Sequence, residues 1–149
     1  VLFVCMGNIC RSPAAEGILS KKVRERGLEN QIEIDSAGTT GYHVSEPADP
    51  RMQRAAGARG LKLTSKARQV TPEDLHNFDY VLAADSNNLM DLELMAGRQR
   101  HKAKLRLITD SHPYAMIGEV PDPYYGGKQG FENVLDVLEI SCDNLLDEI

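Results

Sequence analysis

Val1-Leu2-Phe3-Val4-Cys5-Met6-Gly7-Asn8-Ile9-Cys10-Arg11-Ser12-Pro13 opens the 149-residue chain, and its reading decides the fold. Val1 to Val4 is a continuous apolar run, as expected of a strand buried on both faces. Ser12-Pro13 predicts a helix start, with Ser12 as N-cap and Pro13 in the first helical position. Ala15, Ile18, Leu19 and Val23 follow at helical spacing, and Gly27 is a natural stop. A buried strand feeding a helix is the start of a right-handed crossover in a parallel sheet. Ligands bind beyond the carboxyl ends of such strands, which is where residues 5–12 lie.

Outward from this unit the pattern repeats. Strands are predicted at Ile32–Asp35, Tyr80–Ala84 and Leu105–Ile108. Helices are predicted from Asp49-Pro50 to near Gly60, from Thr71-Pro72 for a short run, and from a Ser86 cap to Ala96 with Gly97 as stop. Thr109 to Gly130 is rich in Pro, Gly and Tyr and has no periodicity; so long a loop in a compact domain is commonly functional. Phe131, Val134, Leu135, Leu138, Cys142, Leu145, Leu146 and Ile149 form one stripe of a last, strongly amphipathic helix. The fold class expected is α/β, a parallel sheet covered on both faces, in a single domain over residues 1–149.

Composition narrows the function. Hydrophobic residues make up 42% and charged residues 26%, which suits a globule with a real core. The net charge of −5 gives no support to non-specific nucleic-acid or anionic-membrane binding, although a few local donors could still hold a small anion. No apolar run approaches the ~20 residues of a membrane span. The three cysteines, Cys5, Cys10 and Cys142, with no export signal, read as reduced thiols in the cytoplasm, not as a disulfide framework. A start on Val inside a strand implies that an initiator Met and a residue or two precede it. His43, His76, His101 and His112 lack metal spacing, so no metal and no cofactor are expected. The run from Arg98 to Lys104 reads as a solvated helix end.

The turn itself carries chemistry. A loop between a strand and a helix N-terminus can turn its amides inward on an anion. Gly7 and Asn8 are residue types that tolerate positive φ. Arg11 offers a planar fork for two phosphate oxygens. The same field acts on Cys5, and such surroundings lower a thiol from ~8.5 to roughly 3.5–7.5, leaving a nucleophilic thiolate. Neither a Walker-type loop nor a Gly-x-Gly-x-x-Gly fingerprint occurs, so nucleotide readings lose their usual support. A bare Cys-x5-Arg elsewhere in a chain would read as a buried Cys with an incidental Arg; its place between strand and helix reverses that.

Val4-Cys5-Met6-Gly7-Asn8-Ile9-Cys10-Arg11-Ser12-Pro13 resembles the signature of the low-molecular-weight protein tyrosine phosphatases. The resemblance extends to Asp35-Ser36-Ala37-Gly38-Thr39, Lys66-Ala67-Arg68-Gln69 and Asp122-Pro123-Tyr124-Tyr125-Gly126, in family order and spacing across the chain. It implies a three-layer sandwich whose four-stranded parallel sheet has order 2-1-3-4. It implies Cys5 as nucleophile, Arg11 and the loop residues Met6 to Ser12 as the phosphate cradle, and Asp122 as general acid and then base. Asp122 in Val-Pro-Asp-Pro would otherwise be an ordinary turn residue. Ser12 matches a hydroxyl that hydrogen-bonds the nucleophilic sulfur. Asn8 and Ser36 match a network behind the loop, in which many members carry His where this chain has Ser65.

Tyr42 and Tyr124 are expected to sandwich a phenyl ring, with Met6 and Ile9 at the base and Tyr125 at the rim. The implied partners are phosphotyrosine proteins or small aryl phosphates, with phosphate or other oxyanions as inhibitors. Ile9 argues against a phosphoarginine-hydrolysing branch, where Thr is typical. Cys10 matches a residue that pairs reversibly with the nucleophile under peroxide; its other reading is a small packing residue. Cys142 reads as core, and Asp85 as support for the loops or as a helix cap. Two other functions compete. An arsenate reductase would need further cysteines near Asp85–Met90, where there are none. A non-enzymatic phosphoprotein-binding module is disfavoured by intact Cys5, Arg11 and Asp122.

Overall fold

A computed structural model describes residues 1–124 and 126–149. Four parallel strands form its sheet: β1 (Leu2–Cys5), β2 (Asp35–Gly38), β3 (Tyr80–Ala83) and β4 (Lys104–Leu107), in the order β2-β1-β3-β4. The helices are α1 (Arg11–Glu25), α2 (Pro50–Gly57), α3 (Asp74–Asn77), α4 (Ser86–Ala96) and α5 (Gly127–Glu148). Central β1 explains its unbroken apolarity, since side chains of a parallel strand alternate between two covered faces. Phe3 packs with Ile18 and Leu19 of α1 and Leu138 of α5. Leu2 and Val4 turn the other way, with Leu75 of α3 and Leu92 of α4. Each such large side chain, fully buried, is worth roughly 1.5–3 kcal/mol. These two clusters hold β1 from both sides and fix the direction in which its carboxyl end points.

The end of α1 is decided by Gly27, whose φ of 69° is the left-handed conformation of a helix terminator. The Leu28 amide donates to the Val23 carbonyl at 2.9 Å and the Gly27 amide to Arg24 at 3.0 Å, closing orphan carbonyls of the last turn.

Several boundaries differ from the sequence reading. β2 is Asp35–Gly38 and not Ile32–Asp35: its register pairs Leu2 with Asp35 and Cys5 with Gly38. The alternating residues Ile32 and Ile34 pack on the core as an approach to the strand. The strand itself uses small residues because the phosphate-type loop crosses close to it. β3 and β4 each end one residue earlier than predicted, at Ala83 and Leu107. α2 ends at Gly57, and α5 begins at Gly127, ahead of its apolar stripe. The long connection contains two short 3-10 turns, Ile108–Ser111 and Ala115–Ile117. Ser12 does not cap α1. Cys10 holds the cap position without a side-chain bond, and Pro13 is the third helical residue. Asp85, not Ser86, caps α4: its carboxylate accepts from the Asn88 amide at 2.8 Å.

Candidate active site

Residues 6–10 run from the end of β1 to the start of α1 around the mouth of a cavity of about 240 Å³. Met6, Gly7, Ile9 and Cys10 line it together with Cys5, Arg11, His43, Asp122 and Tyr124. The loop's carbonyls are used outwards. Cys5 and Met6 accept from the Thr39 and Thr40 amides at 2.9 and 3.0 Å, and Ile9 from the Asp49 amide at 2.8 Å. Among the described residues, no amide N–H from Met6 to Cys10 donates to a protein acceptor. Backbone donors do not stay unpaired without cause, so this cluster is fitted to an external anion.

Asn8 makes the turn possible. Its φ of 57° is the positive value that Asn tolerates better than most residues. Gly7 does not use that freedom; it is needed because a Cβ there would lie 3.0 Å from the His43 ring. The Asn8 side chain is buried and fully engaged behind the loop. Its Nδ2 donates to Ser12 Oγ at 2.8 Å and Ser36 Oγ at 3.0 Å, and its Oδ1 accepts from the Arg68 amide at 3.0 Å. Ser12 Oγ lies 3.0 Å from Cys5 Sγ. Ser36 Oγ donates to Glu16 Oε1 at 2.6 Å, and Ser65 also bonds the Glu16 carboxyl. Glu16 and Ser65 thus complete the network where a His was expected. Burial raises the Glu16 carboxyl above its ordinary value, against these two hydrogen bonds.

Arg11 is 3% exposed and held on two sides. Its Nη1 donates to Asp85 Oδ2 at 2.7 Å and to the Val120 carbonyl at 3.1 Å, while Nη2 stands 3.9 Å from Asp122 Oδ2. Burial opposes its charge, but the Cys5 sulfur and the Asp85 and Asp122 carboxylates outweigh it and raise its pKa. Asp85 therefore does both things anticipated for it: one oxygen caps α4 and the other aims Arg11. Asp122 is half exposed, and its Oδ1 accepts from the Tyr124 amide at 3.0 Å.

One family model, described as low molecular weight phosphotyrosine protein phosphatase, matches residues 1–149. The chain belongs to that family. The phosphatase is 43% identical over 148 residues to the low molecular weight protein-tyrosine-phosphatase of Streptomyces coelicolor, covering 98% of this chain and 90% of that relative. It is 42% identical, with a TM-score of 0.93, to a protein tyrosine phosphatase from Entamoeba histolytica crystallised with Hepes in its active site. That match covers 99% of this chain and 94% of the other. A drosophila arginine phosphatase gives a TM-score of 0.94 at 33% identity, over 99% and 95% of the two chains. The chain is thus a hydrolase of the protein-tyrosine-phosphatase class.

The aromatic wall of the phosphatase differs from the expectation. Tyr124 lines the cavity, but Tyr42 is 80% exposed and does not. His43 takes that side, its Nδ1 2.6 Å from Glu46 Oε2. The four histidines were considered only as metal ligands, and nothing local in the sequence marks His43 as a wall. Tyr125, expected at the rim, lies outside the described residues. Cys10 contributes a buried thiol pushed up to about 12 by burial, with Asp49 and the Cys5 sulfur adding to the shift. Cys142 is core, its thiol likewise raised to about 12 by burial. Among the described residues no cluster of His, Cys, Asp or Glu is arranged to hold a metal, and no helix is long and apolar enough to cross a membrane.

Proposed function

We propose that this phosphatase hydrolyses phosphotyrosine in proteins, or small aryl phosphates, through a cysteinyl-phosphate intermediate, as one cytoplasmic catalytic domain. The observation that carries the reading is the convergence of Cys5, Arg11 and Asp122 on one cavity floored by unpaired amides. In the first step the Cys5 thiolate attacks phosphorus, and the bond from phosphorus to the phenolic oxygen breaks. Asp122 gives that oxygen its proton. The amides and the Nη2 side of Arg11 face the charge spread over the equatorial oxygens. In the second step water attacks phosphorus and gives its proton to Asp122, and the sulfur leaves as thiolate with inorganic phosphate as product.

Ser12 Oγ already accepts from Asn8, so its own proton is directed to Cys5 Sγ, where it stabilises the departing sulfur. The oxyanion charge is met by amides and Arg11, so the reading assigns no step to a metal. Purified enzyme should turn over an aryl phosphate in EDTA, and Cys5→Ser should abolish that turnover. Asp122→Asn should slow phenyl phosphate far more than an activated aryl ester. Retained activity in Cys5→Ser, or equal losses for all esters in Asp122→Asn, would refute the respective role.

The likeness to an arginine phosphatase supports a second reading, phosphoarginine hydrolysis on the same loop. The Ile9 side chain in the cavity wall favours the aryl ester. Turnover of phosphoarginine above phosphotyrosine would reverse that preference.

A further inference from the structure

The loop that carries Asp122 leaves the body of the protein at Val120 and rejoins it at α5. Val120 is well fixed: its amide donates to the Ala84 carbonyl at 2.8 Å, and its carbonyl accepts from Arg11. Pro121 and Asp122 are exposed, so the direction of the carboxylate depends on a second anchor beyond them. That anchor is Tyr124. Its amide donates to Asp122 Oδ1, and its carbonyl accepts from Arg51 Nη1 at 2.8 Å.

Arg51 belongs to the first turn of α2 and is itself held at every donor. Its Nε and Nη2 grip the two oxygens of Asp49 at 3.1 and 2.9 Å. The guanidinium also stands 5.0 Å from the centre of the Tyr124 ring and 4.9 Å from that of Phe131, within cation–π range of both. Asp49 is buried, accepts from the Arg51 amide at 2.8 Å, and donates its own amide to the Ile9 carbonyl of the phosphate loop. A continuous strut results. It runs from Ile9 through Asp49 and Arg51 to the Tyr124 peptide, and from there to the carboxylate of Asp122.

We infer that Arg51, braced by Asp49, is a positioning residue: it sets the Asp122 carboxylate and the Tyr124 ring in register with the phosphate loop. The inference rests on the acid role proposed for Asp122. A lysine cannot replace Arg51, because one ammonium does not present a flat fork to a carboxylate and a carbonyl while lying against two rings.

The experiment compares kcat for two substrates, phenyl phosphate and an activated nitro-substituted aryl phosphate, in Arg51→Met, Arg51→Lys, Asp49→Asn, Asp122→Asn and Arg54→Met. General acids contribute ~10²–10⁴-fold, so loosening one without removing it should cost about tenfold for the poor leaving group. The activated ester should stay within about twofold of the parent, since it needs little proton transfer. Arg51→Met and Arg51→Lys should both behave so, Asp49→Asn in the same sense but less. Arg54, on the same helix and with no ion pair among the described residues, should leave both rates unchanged. In Arg51→Met/Asp122→Asn the selective loss should not exceed that of Asp122→Asn alone.

Equal loss for both substrates, or no loss, in the Arg51 variants overturns the inference if Asp122→Asn remains leaving-group selective. A non-selective Asp122→Asn overturns the acid role itself. Should Arg51→Met fail to fold, Arg51→Lys and Asp49→Asn give the same reading.

Discussion

Gly38→Ala should damage the active site from behind, without touching any residue that lines it. Gly38 ends β2 opposite Cys5, and a Cβ built there lies 2.7 Å from the Met6 carbonyl oxygen and 3.2 Å from both the amide nitrogen and the Cβ of Asn8. Ordinary contact needs roughly 0.7 Å more at the closest of these. Neither partner has room to give. The Gly38 amide donates to the Arg68 carbonyl and its own carbonyl accepts from Val70, both at 2.8 Å, so β2 cannot retreat. The Met6 carbonyl already accepts from the Thr40 amide at 3.0 Å and from its hydroxyl at 3.1 Å.

The displacement must therefore pass into residues 6–8, the part of the loop whose amides face the cavity. Overpacking of this kind costs about 1–3 kcal/mol of stability. A shift approaching 1 Å in a reacting constellation costs up to ~10²-fold in rate, so kcat/KM for an aryl phosphate should fall by about 10–100-fold. Inhibition by inorganic phosphate should weaken in parallel. Gly57→Ala is the control: nothing lies within 4 Å of its Cβ, and the helix should gain about 0.5–1 kcal/mol with activity unchanged. Urea unfolding, steady-state rates and phosphate inhibition on the three proteins test the argument. A Gly38→Ala enzyme within about threefold of the parent in rate and phosphate inhibition would show that the loop is not shaped by this contact.

Two further outcomes are expected. Burial raises the Glu16 carboxyl in the folded protein above its ordinary 4.5, so its contribution to stability is complete below that value and is lost as pH rises through the folded one. Glu16→Gln keeps an acceptor for Ser36 but does not ionise; urea midpoints from pH 4 to 8 should show the variant gaining on the parent across that window, and parallel curves would refute the assignment. Asp85→Ala removes the partner of a buried guanidinium and the cap of α4 together. The loss should be about 3–5 kcal/mol for the pair plus about 1 kcal/mol for the cap; an unfolding free energy reduced by less than about 1 kcal/mol would contradict the account of how Arg11 is held.

The phosphate loop was legible because its chemistry is contiguous. Eight residues carry the nucleophile, the cation, the positive-φ position and the flanking elements, and each leaves a local mark. Asp122 was legible through Asp-Pro-Tyr-Tyr and the family pattern. The supporting structure was not, because it is made of pairs distant in sequence: Arg11 with Asp85, Arg51 with the Tyr124 carbonyl, and Arg68 with Asp35 and Asp74. No periodicity records such pairs. Ser12 misled for a related reason. Cap preference expresses a side chain turned to its own helix, whereas this hydroxyl is taken by Asn8 and Cys5. The β2 boundary failed because alternation marks burial, and Ile32 and Ile34 are buried without pairing as strand.

A chain of net charge −5 that binds a dianion needs its attraction to be local, and the site is arranged accordingly. Arg11 is not a free positive charge: Asp85 lies 2.7 Å from one terminal nitrogen and Asp122 3.9 Å from the other. At long range this trio is net negative and adds nothing to the capture of an anion. At contact range the balance inverts, because Asp85 takes up Nη1 from behind and leaves the opposite edge of the fork toward the cavity. The loop amides carry partial charges that act over a few ångströms and are not cancelled by surface carboxylates more than a Debye length of ~8–10 Å away. Asp122 beside Nη2 then has a consequence for the chemistry: an ionised carboxylate and a phosphate dianion repel each other, so a bound dianion favours the protonated form of Asp122. That is the form required of the acid in the first step. Once the phenol has left and the phosphoryl group is carried on sulfur with less charge, the same carboxylate is free to ionise and take the proton of the attacking water.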